Sequence, residues 1–365
     1  MSDEPAMTRR AVLDMMDRRP VWAMPDWVPD AIRNALPGAW ELVVIEEPTD
    51  GSGDGAARVS PRVLEAVGTA EIYFGYGIPP ELLEAGPGLR WVHSGAAGVG
   101  SSLHETMRAR DVVFTNSAGI HAPPMAETVL GMILHFTRGL DFAVANQRRG
   151  CWSTDPFYNG SVPPTELSEA TVGIVGFGGI GREVARRVAA LGAHVVAAKR
   201  TPPTSSDGEL ESVAGGGSVG RRIELVHGAT GRDTVLRESD VVVLAAPDTP
   251  ETRDLIDAEA LSRMKAGAVL INVGRGRLVV EEALVDALRT GHLRGAGLDV
   301  FRTEPLPEGH PLWSFEQVLV TPHVSAVTPG YWKRETDLIL ENLRHYIAGS
   351  PPEEWANVVD KRAGY

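Results

Sequence analysis

Apolar and polar positions along the chain fall into two successive series of short β-rich runs separated by helical stretches. The first series holds ELVVIE (41–46), EIYFG (71–75), RWVHS (90–94) and DVVFTN (111–116), with SPRVLEAVG, PPELLEAG and GVGSSLHETMRAR between them. Such alternation predicts parallel strands joined by crossover helices. The Gly- and Asp-rich stretch DGSGDGAAR (50–58) reads as a surface loop at one crossover. From Pro124 to Arg149 the pattern predicts one long helix, stopped at Gly150 and long enough to carry the chain between domains. The second series holds TVGIVG (171–176), HVVAA (194–198), DVVVLAA (240–246), AVLINV (268–273), AGLDVF (296–301) and QVLVTP (317–322). Six strands with helices between them predict a complete doubly wound sheet. Residues 204–232 interrupt this series, and their GGGSVG core has neither period, so they read as a mobile surface insertion. The last segment, 328–349, predicts a helix ending at Gly349 that returns the chain to the first domain. The expected fold is therefore α/β, with two doubly wound parallel-sheet domains: residues 1–124 with 326–365, and residues 125–325.

Composition agrees with that organisation. A chain of 365 residues exceeds what one hydrophobic core usually organises. With 43% hydrophobic and 23% charged residues it is an ordinary globular composition, which sets aside disordered, fibrous and membrane-spanning classes. The formal net charge of −13 opposes a nucleic-acid backbone, and no basic patch offsets it. The opening MSDEPAMTRR lacks an apolar core and cleavage site, and no apolar run reaches the roughly 18 to 20 residues needed to cross a bilayer. A cytoplasmic location without membrane or nucleic-acid partners is expected. The lone Cys151 can form neither an internal disulfide nor, alone, a thiolate metal site.

The chemistry begins at GFGGIG (176–181), a GxGxxG that follows an apolar strand and opens the helix GIGREVARRVAALG. Gly176 suits a tight turn, Gly178 lets the backbone approach a pyrophosphate, and Gly181 permits close helix packing. The helix N-terminus presents unbonded N–H groups to the anion. About twenty positions on, where NAD-binding domains usually carry an acidic residue for the ribose hydroxyls, stand Lys199, Arg200 and Thr201. Two cations and a hydroxyl suit a 2′-phosphate, which points to NADP as the preferred cofactor with NAD possible. The alternative is that both cations are merely solvated at the sheet edge.

Beyond the fingerprint lie INVGRGRLVVEEAL (271–284), GLDVFRTEPLPEGHPLW (297–313) and VTPHVSA (320–326). In these motifs, in their order and over almost the whole chain, the sequence resembles the NAD(P)-dependent D-isomer-specific 2-hydroxyacid dehydrogenases. The resemblance implies a Rossmann cofactor domain inserted in a flavodoxin-like substrate domain, and a homodimer joined through the cofactor domains. It implies Arg275, Glu304 and His323 as the catalytic set. Chemistry agrees with each choice. An imidazole can give a proton to the carbonyl oxygen near neutral pH, a carboxylate on its other nitrogen fixes the tautomer, and a guanidinium fork suits the substrate carboxylate and carbonyl. Further cofactor contacts implied are Gly176, Gly178, Gly179, Ile180, Gly181, Pro247, Thr252, Val273, Gly274, Arg275, His323 and Asp299, the last near the nicotinamide amide. The loop SGAAGVG (94–100) should offer the backbone N–H groups of Ala96, Ala97 and Gly98 to the substrate carboxylate, with Arg275 opposite. Departures from the family are Gly100 in place of a common Asp, Gly179 in place of a larger polar residue, and Met125 in place of Val.

The expected activity is reduction of a small 2-keto acid such as glyoxylate or hydroxypyruvate to the D-2-hydroxy acid. Alternatives are an NAD-linked dehydrogenase of another acid such as 3-phosphoglycerate, or a dinucleotide-sensing protein on the same scaffold. Formate dehydrogenases of the family have Gln where Glu304 stands, which argues against that branch. His310 and the histidines at 93, 104, 121, 135, 194, 227, 292 and 345 read as structural or surface groups, and Tyr76, Trp313 and Trp332 as packing aromatics or pocket walls. No metal is expected, since no His, Asp or Glu set has ligand spacing and hydride transfer needs none.

Overall fold

The structure is a computed structural model that describes residues 8–49, 57–202 and 223–364. It divides into two compact units, Met1–His121 with Val327–Tyr365, and Ala122–Ala326. Each is an α/β unit around one parallel sheet.

In the first unit the strands are β1 (Arg9–Asp14), β2 (Trp40–Val44), β3 (Ile72–Gly75), β4 (Trp91–Ser94) and β5 (Val113–Asn116), in the order β2-β1-β3-β4-β5. That is the flavodoxin-like doubly wound order. The first strand lies outside the series read from the sequence. RRAVLD is short and bounded by charges, and Ala11, Val12 and Leu13 are wholly buried, so it shows no alternation to read. The two faces of the sheet feed separate cores. Leu13, Phe74 and Trp91 pack with Ile339 and Leu343 of the helix Tyr331–Ala348. Val12, Tyr73, Val92 and Phe114 pack with Val63 and Leu82 from the helices Pro61–Val67 and Pro80–Ala85. Fully burying each such side chain is worth about 1.5–3 kcal/mol. Residues 357–359 run antiparallel along β5, with the Val359 amide donating to the Phe114 carbonyl at 2.8 Å, and so cover that edge.

In the second unit the strands are β6 (Thr171–Val175), β7 (His194–Lys199), β8 (Ile223–His227), β9 (Val241–Leu244), β10 (Ala268–Asn272), β11 (Leu293–Leu298) and β12 (Val318–Val320). Their order is β12-β11-β10-β9-β6-β7-β8, with the switch in direction between β6 and β9. The sheet thus has seven strands rather than six. The reading of 204–232 as a loop needs correction for its second part, because Ile223–His227 pair with β7 and the helix Gly228–Glu238 follows directly. Only Ile223 of this edge strand is fully buried, so five residues carry too little pattern to stand out. Residues 203–222 lie outside the described residues, as do 50–56 of the other expected loop.

The single helix expected over 124–149 is two, Ala122–Thr137 and Leu140–Arg148, meeting at 75°. Gly139 takes φ +65° between them, and a Cβ there would lie 2.7 Å from the Phe157 ring, so the break admits that side chain against the backbone. Asp141 then anchors the second helix to β11 by accepting from Nη1 and Nη2 of Arg294, at 2.6 and 2.8 Å. Among the described residues no single helix is long and apolar enough to cross a membrane.

Candidate active site

The residues singled out in the second unit gather at the carboxyl ends of its strands, where doubly wound sheets bind ligands. After β6 the chain turns at Gly176, with φ +101°. A Cβ at Gly176 would lie 2.6 Å from the Ala246 amide nitrogen, and one at Gly181 would lie 2.1 Å from the Gly176 carbonyl. Both positions therefore exclude any side chain. Gly178 differs: it is exposed and a Cβ there would meet nothing within 4 Å, so its open face is where a ligand can touch backbone. The helix Gly179–Ala190 starts on this turn, and its first i to i−4 bond is made by the Arg182 amide to Gly178. The amides of Gly179, Ile180 and Gly181 thus precede the helical ladder and suit a pyrophosphate.

The remaining cofactor candidates line the same end. Lys199 closes β7 half-buried, followed by the exposed Arg200 and Thr201. After β9, the Thr252 hydroxyl donates to the Pro247 carbonyl at 2.6 Å and ties that loop into a turn. Val273 is buried, and Gly274 sits so close to the Ala246 carbonyl, 2.8 Å from a Cβ, that only glycine fits.

Arg275 leaves β10 in extended conformation, its Nη1 donating to the Gly274 carbonyl at 2.8 Å. The buried Asn272 holds this turn from below: its Oδ1 accepts from the Gly274 amide at 3.1 Å and its Nδ2 donates to the Arg275 carbonyl at 3.0 Å. The next residue, Gly276, lies against the backbone of Phe301, where a Cβ would fall 1.9 Å from the carbonyl carbon. The Phe301 amide in turn donates to Glu304 Oε1 at 2.9 Å. Glu304 Oε2 lies 2.7 Å from His323 Nδ1. Glu304 and His323 are thus in direct contact after β11 and β12, and the turn that bears Arg275 meets them through Gly276 against the Phe301 backbone. With the carboxylate on Nδ1, the neutral ring carries its proton there, and a doubly protonated ring carries a second N–H at Nε2.

His323 adopts φ +55°, a conformation non-glycine residues rarely take. Asp299 holds it there. Wholly buried, its Oδ1 accepts from the Thr321 hydroxyl at 2.6 Å and the Val324 amide at 2.9 Å, and its Oδ2 accepts from the Ser325 amide at 3.1 Å. The sequence pointed to Asp299 as a cofactor contact, and its work in fixing the His323 turn was not foreseen. Asn272 was missed as well, although a lone amide ending the apolar run AVLIN was its signal. His310 is structural: its Nδ1 accepts from the Leu312 amide at 3.3 Å and its Nε2 lies 3.4 Å from Glu281.

In the first unit the loop after β4 carries the anion candidates. Ala96 is buried and its amide donates to Ser94 Oγ at 3.3 Å. The amides of the exposed Ala97 and half-buried Gly98 make no hydrogen bond among the described residues. Beneath the loop lies a buried polar network absent from the sequence reading. Trp91 Nε1 donates to Thr115 Oγ1 at 2.9 Å, Thr115 Oγ1 lies 2.8 Å from His93 Nδ1, and His93 Nε2 lies 2.8 Å from Glu335 Oε1. Ser117 Oγ completes it at 2.7 Å from Glu335 Oε2, while the Ser117 amide donates to the Ser94 carbonyl at 3.0 Å. Tyr331 donates to the Gly95 carbonyl at 3.1 Å. Trp332 and Tyr76 are buried in packing, and Trp313 is half exposed with its Nε1 on the Pro307 carbonyl. Among the described residues no three His, Cys, Asp or Glu side chains gather as a metal site would require.

A glycine turn opening a helix after the first strand of a doubly wound sheet is the architecture of a dinucleotide-binding domain, and here a carboxylate-bound imidazole stands at the same ends of the strands. Residues 130–325 match the family model described as D-isomer specific 2-hydroxyacid dehydrogenase, NAD binding domain. The chain belongs to the D-isomer specific 2-hydroxyacid dehydrogenase family. It is 36% identical over 281 residues to a D-3-phosphoglycerate dehydrogenase of Mycobacterium leprae, covering 77% of this chain and 49% of that protein. The chain thus spans about half the length of the first curated relatives it matches. Over whole chains it is similar to a D-isomer specific 2-hydroxyacid dehydrogenase of Xanthobacter autotrophicus Py2 solved in complex with NADPH and MES, with a TM-score of 0.75, 30% identity, and coverage of 99% of this chain and 100% of that one. An NADPH-dependent glyoxylate/hydroxypyruvate reductase of Sinorhizobium meliloti, in complex with NADP and sulfate, aligns with a TM-score of 0.72 and 26% identity over 98% of this chain and 100% of that one.

Proposed function

We propose that the chain is an NADPH-preferring reductase of small 2-keto acids, of the glyoxylate or hydroxypyruvate type, yielding D-2-hydroxy acids. The observation that carries this reading is the 2.7 Å contact between Glu304 and His323 on the same strand edge as the glycine turn. The turn's open face at Gly178 and the amides of Gly179, Ile180 and Gly181 suit the pyrophosphate of the cofactor, with Lys199, Arg200 and Thr201 at its adenosine end. Reduced nicotinamide, when bound, supplies the hydride. The protein does the rest. Arg275 polarises the carbonyl and binds the carboxylate, and His323 Nε2–H gives its proton to the carbonyl oxygen as that oxygen gains charge. Glu304 stabilises the imidazolium and fixes its orientation. Ala97 and Gly98, whose amides make no hydrogen bond among the described residues, and Ala96 beside them serve the substrate carboxylate. In this reading residues 1–124 with 326–365 are the substrate-binding domain and 125–325 the dinucleotide-binding domain.

The exposed apolar side chains of Leu140, Val144, Trp152 and Tyr158 support a homodimer formed through the second unit. Replacing Trp152 and Tyr158 together by Ser should halve the mass seen by light scattering. An unchanged mass rejects that surface.

Activity is tested by mixing the protein with NADPH and either glyoxylate or hydroxypyruvate and following the nicotinamide absorbance. Turnover of these acids with NADPH favoured over NADH is the expected result. The identity to the M. leprae protein favours a second reading, oxidation of 3-phosphoglycerate with NAD, which the same assay run in reverse detects. Tight NADPH binding with no turnover of any keto acid would mark a binding protein instead.

A further inference from the structure

We propose that His227 is a specificity residue of the cofactor site, forming with Lys199 the ledge that recognises a phosphate on the adenosine 2′ position. This rests on the NADPH reading above and adds a residue to it from a strand the sequence pattern did not reveal. In the ladder between β7 and β8, Lys199 and His227 are direct partners and form its last pair. Neighbouring strands lie about 4.8 Å apart, so the two side chains start within reach of one phosphate group.

Their direction follows from alternation. Val195 and Ala197 of β7 and Ile223 and Leu225 of β8 all pack into the core that includes Val184 and Val188 of the helix Gly179–Ala190. Val196, Ala198 and Val226 pack into the opposite core. Lys199 and His227 share the parity of the first set, so both stand on the face covered by the helix that begins at the glycine turn. At the end of the second strand of such sheets the substituent on the ribose 2′ oxygen is read. His227 is exposed, and the chain leaves at once through Gly228 at φ +66°, so the imidazole stands at the rim of the sheet.

The charges suit a phosphate. The carboxylate of β8, Glu224, has the opposite parity and lies 4.0 Å from His194 at the other end of the ladder. Arg200 lies within electrostatic range of Glu251, which offsets part of its charge. An imidazole N–H beside the Lys199 ammonium supplies a second donor, and neither β7 nor β8 carries a carboxylate on that face.

The test is calorimetric binding of adenosine 2′,5′-bisphosphate and of 5′-AMP to the full chain and to His227→Ala, His227→Gln and His227→Asp. The full chain should prefer the bisphosphate. His227→Ala and His227→Gln should weaken the bisphosphate roughly three- to tenfold, as for one lost hydrogen bond at an exposed edge, and His227→Asp more, while 5′-AMP binding stays the same. The NADPH-to-NADH ratio of kcat/KM should fall in step. If the full chain binds both ligands equally, the NADPH reading fails and this inference with it. If the full chain discriminates and the variants discriminate as well as it does, or lose both ligands in parallel, His227 has no such role and the NADPH reading stands.

Discussion

Glu304 gives one carboxylate oxygen to each of two partners: Oε2 lies 2.7 Å from His323 Nδ1 and Oε1 accepts from the Phe301 amide at 2.9 Å. The second bond sets the direction of the first, because it fixes the carboxylate plane against backbone. His323 is thereby oriented from two sides, by this carboxylate and by its own left-handed main chain. Replacing His323 by Ala should lower kcat for keto-acid reduction by roughly two to four decades, the range for a lost general acid. Cofactor affinity, followed by fluorescence titration, should stay nearly the same. Near-normal turnover would exclude the proposed role.

Asp299 accepts three hydrogen bonds from the turn that bears His323. In Asp299→Asn one oxygen becomes an NH2 group, which must face an amide donor of that turn and leaves it unsatisfied. A loss of about 1–3 kcal/mol in stability is expected. The pH profile of kcat should shift along with it as the imidazole loses its position. A variant that loses stability but keeps the wild-type profile would confine Asp299 to folding.

Lys199 ends β7, where the proposed function places the ribose of the cofactor. Lys199→Asp restores a carboxylate there and should move the preference towards NADH, measured as the ratio of kcat/KM for the two cofactors. An unchanged ratio would show that Lys199 does not set the cofactor preference.

Asp14 ends β1, an inner strand of the first unit, almost wholly buried, and burial pushes its carboxyl up to about 6 despite the hydrogen bond from the Tyr73 hydroxyl at 2.8 Å. The unfolded chain releases this proton near pH 4, so between about pH 4 and 6 the folded state holds more protons and loses stability as pH rises. Below that window the contribution is fully present, and above it the contribution is gone. Asp14→Asn keeps an oxygen for Tyr73 and removes the charge. It should match the wild type near pH 4 and exceed it by roughly 2–3 kcal/mol at pH 7.5 in urea unfolding. An equal gain at both pH values would locate the effect elsewhere.

Much of the candidate site was legible because its chemistry is local. GFGGIG shows its turn in its own glycines, and the family resemblance points to Arg275, Glu304 and His323 in three short segments, of which Glu304 and His323 meet in the structure. What escaped depends on partners far apart or on strands without contrast. His93 and Glu335 meet across 242 positions, and nothing at either end marks the other. β1 is buried on both faces and so lacks a period, while β8 is a short edge strand that follows residues with no pattern. Gly139 is compatible with a helix interior as well as with a break, and only the Phe157 ring packed against it decides.

The segment 357–359 closes the β5 side of the first sheet. Without those residues the strand would present unpaired amides and carbonyls to any extended peptide, including another copy of itself. Tags fused beyond this segment, or proteolytic trimming of it, would therefore act on association before they act on chemistry, and a purification handle is better placed elsewhere.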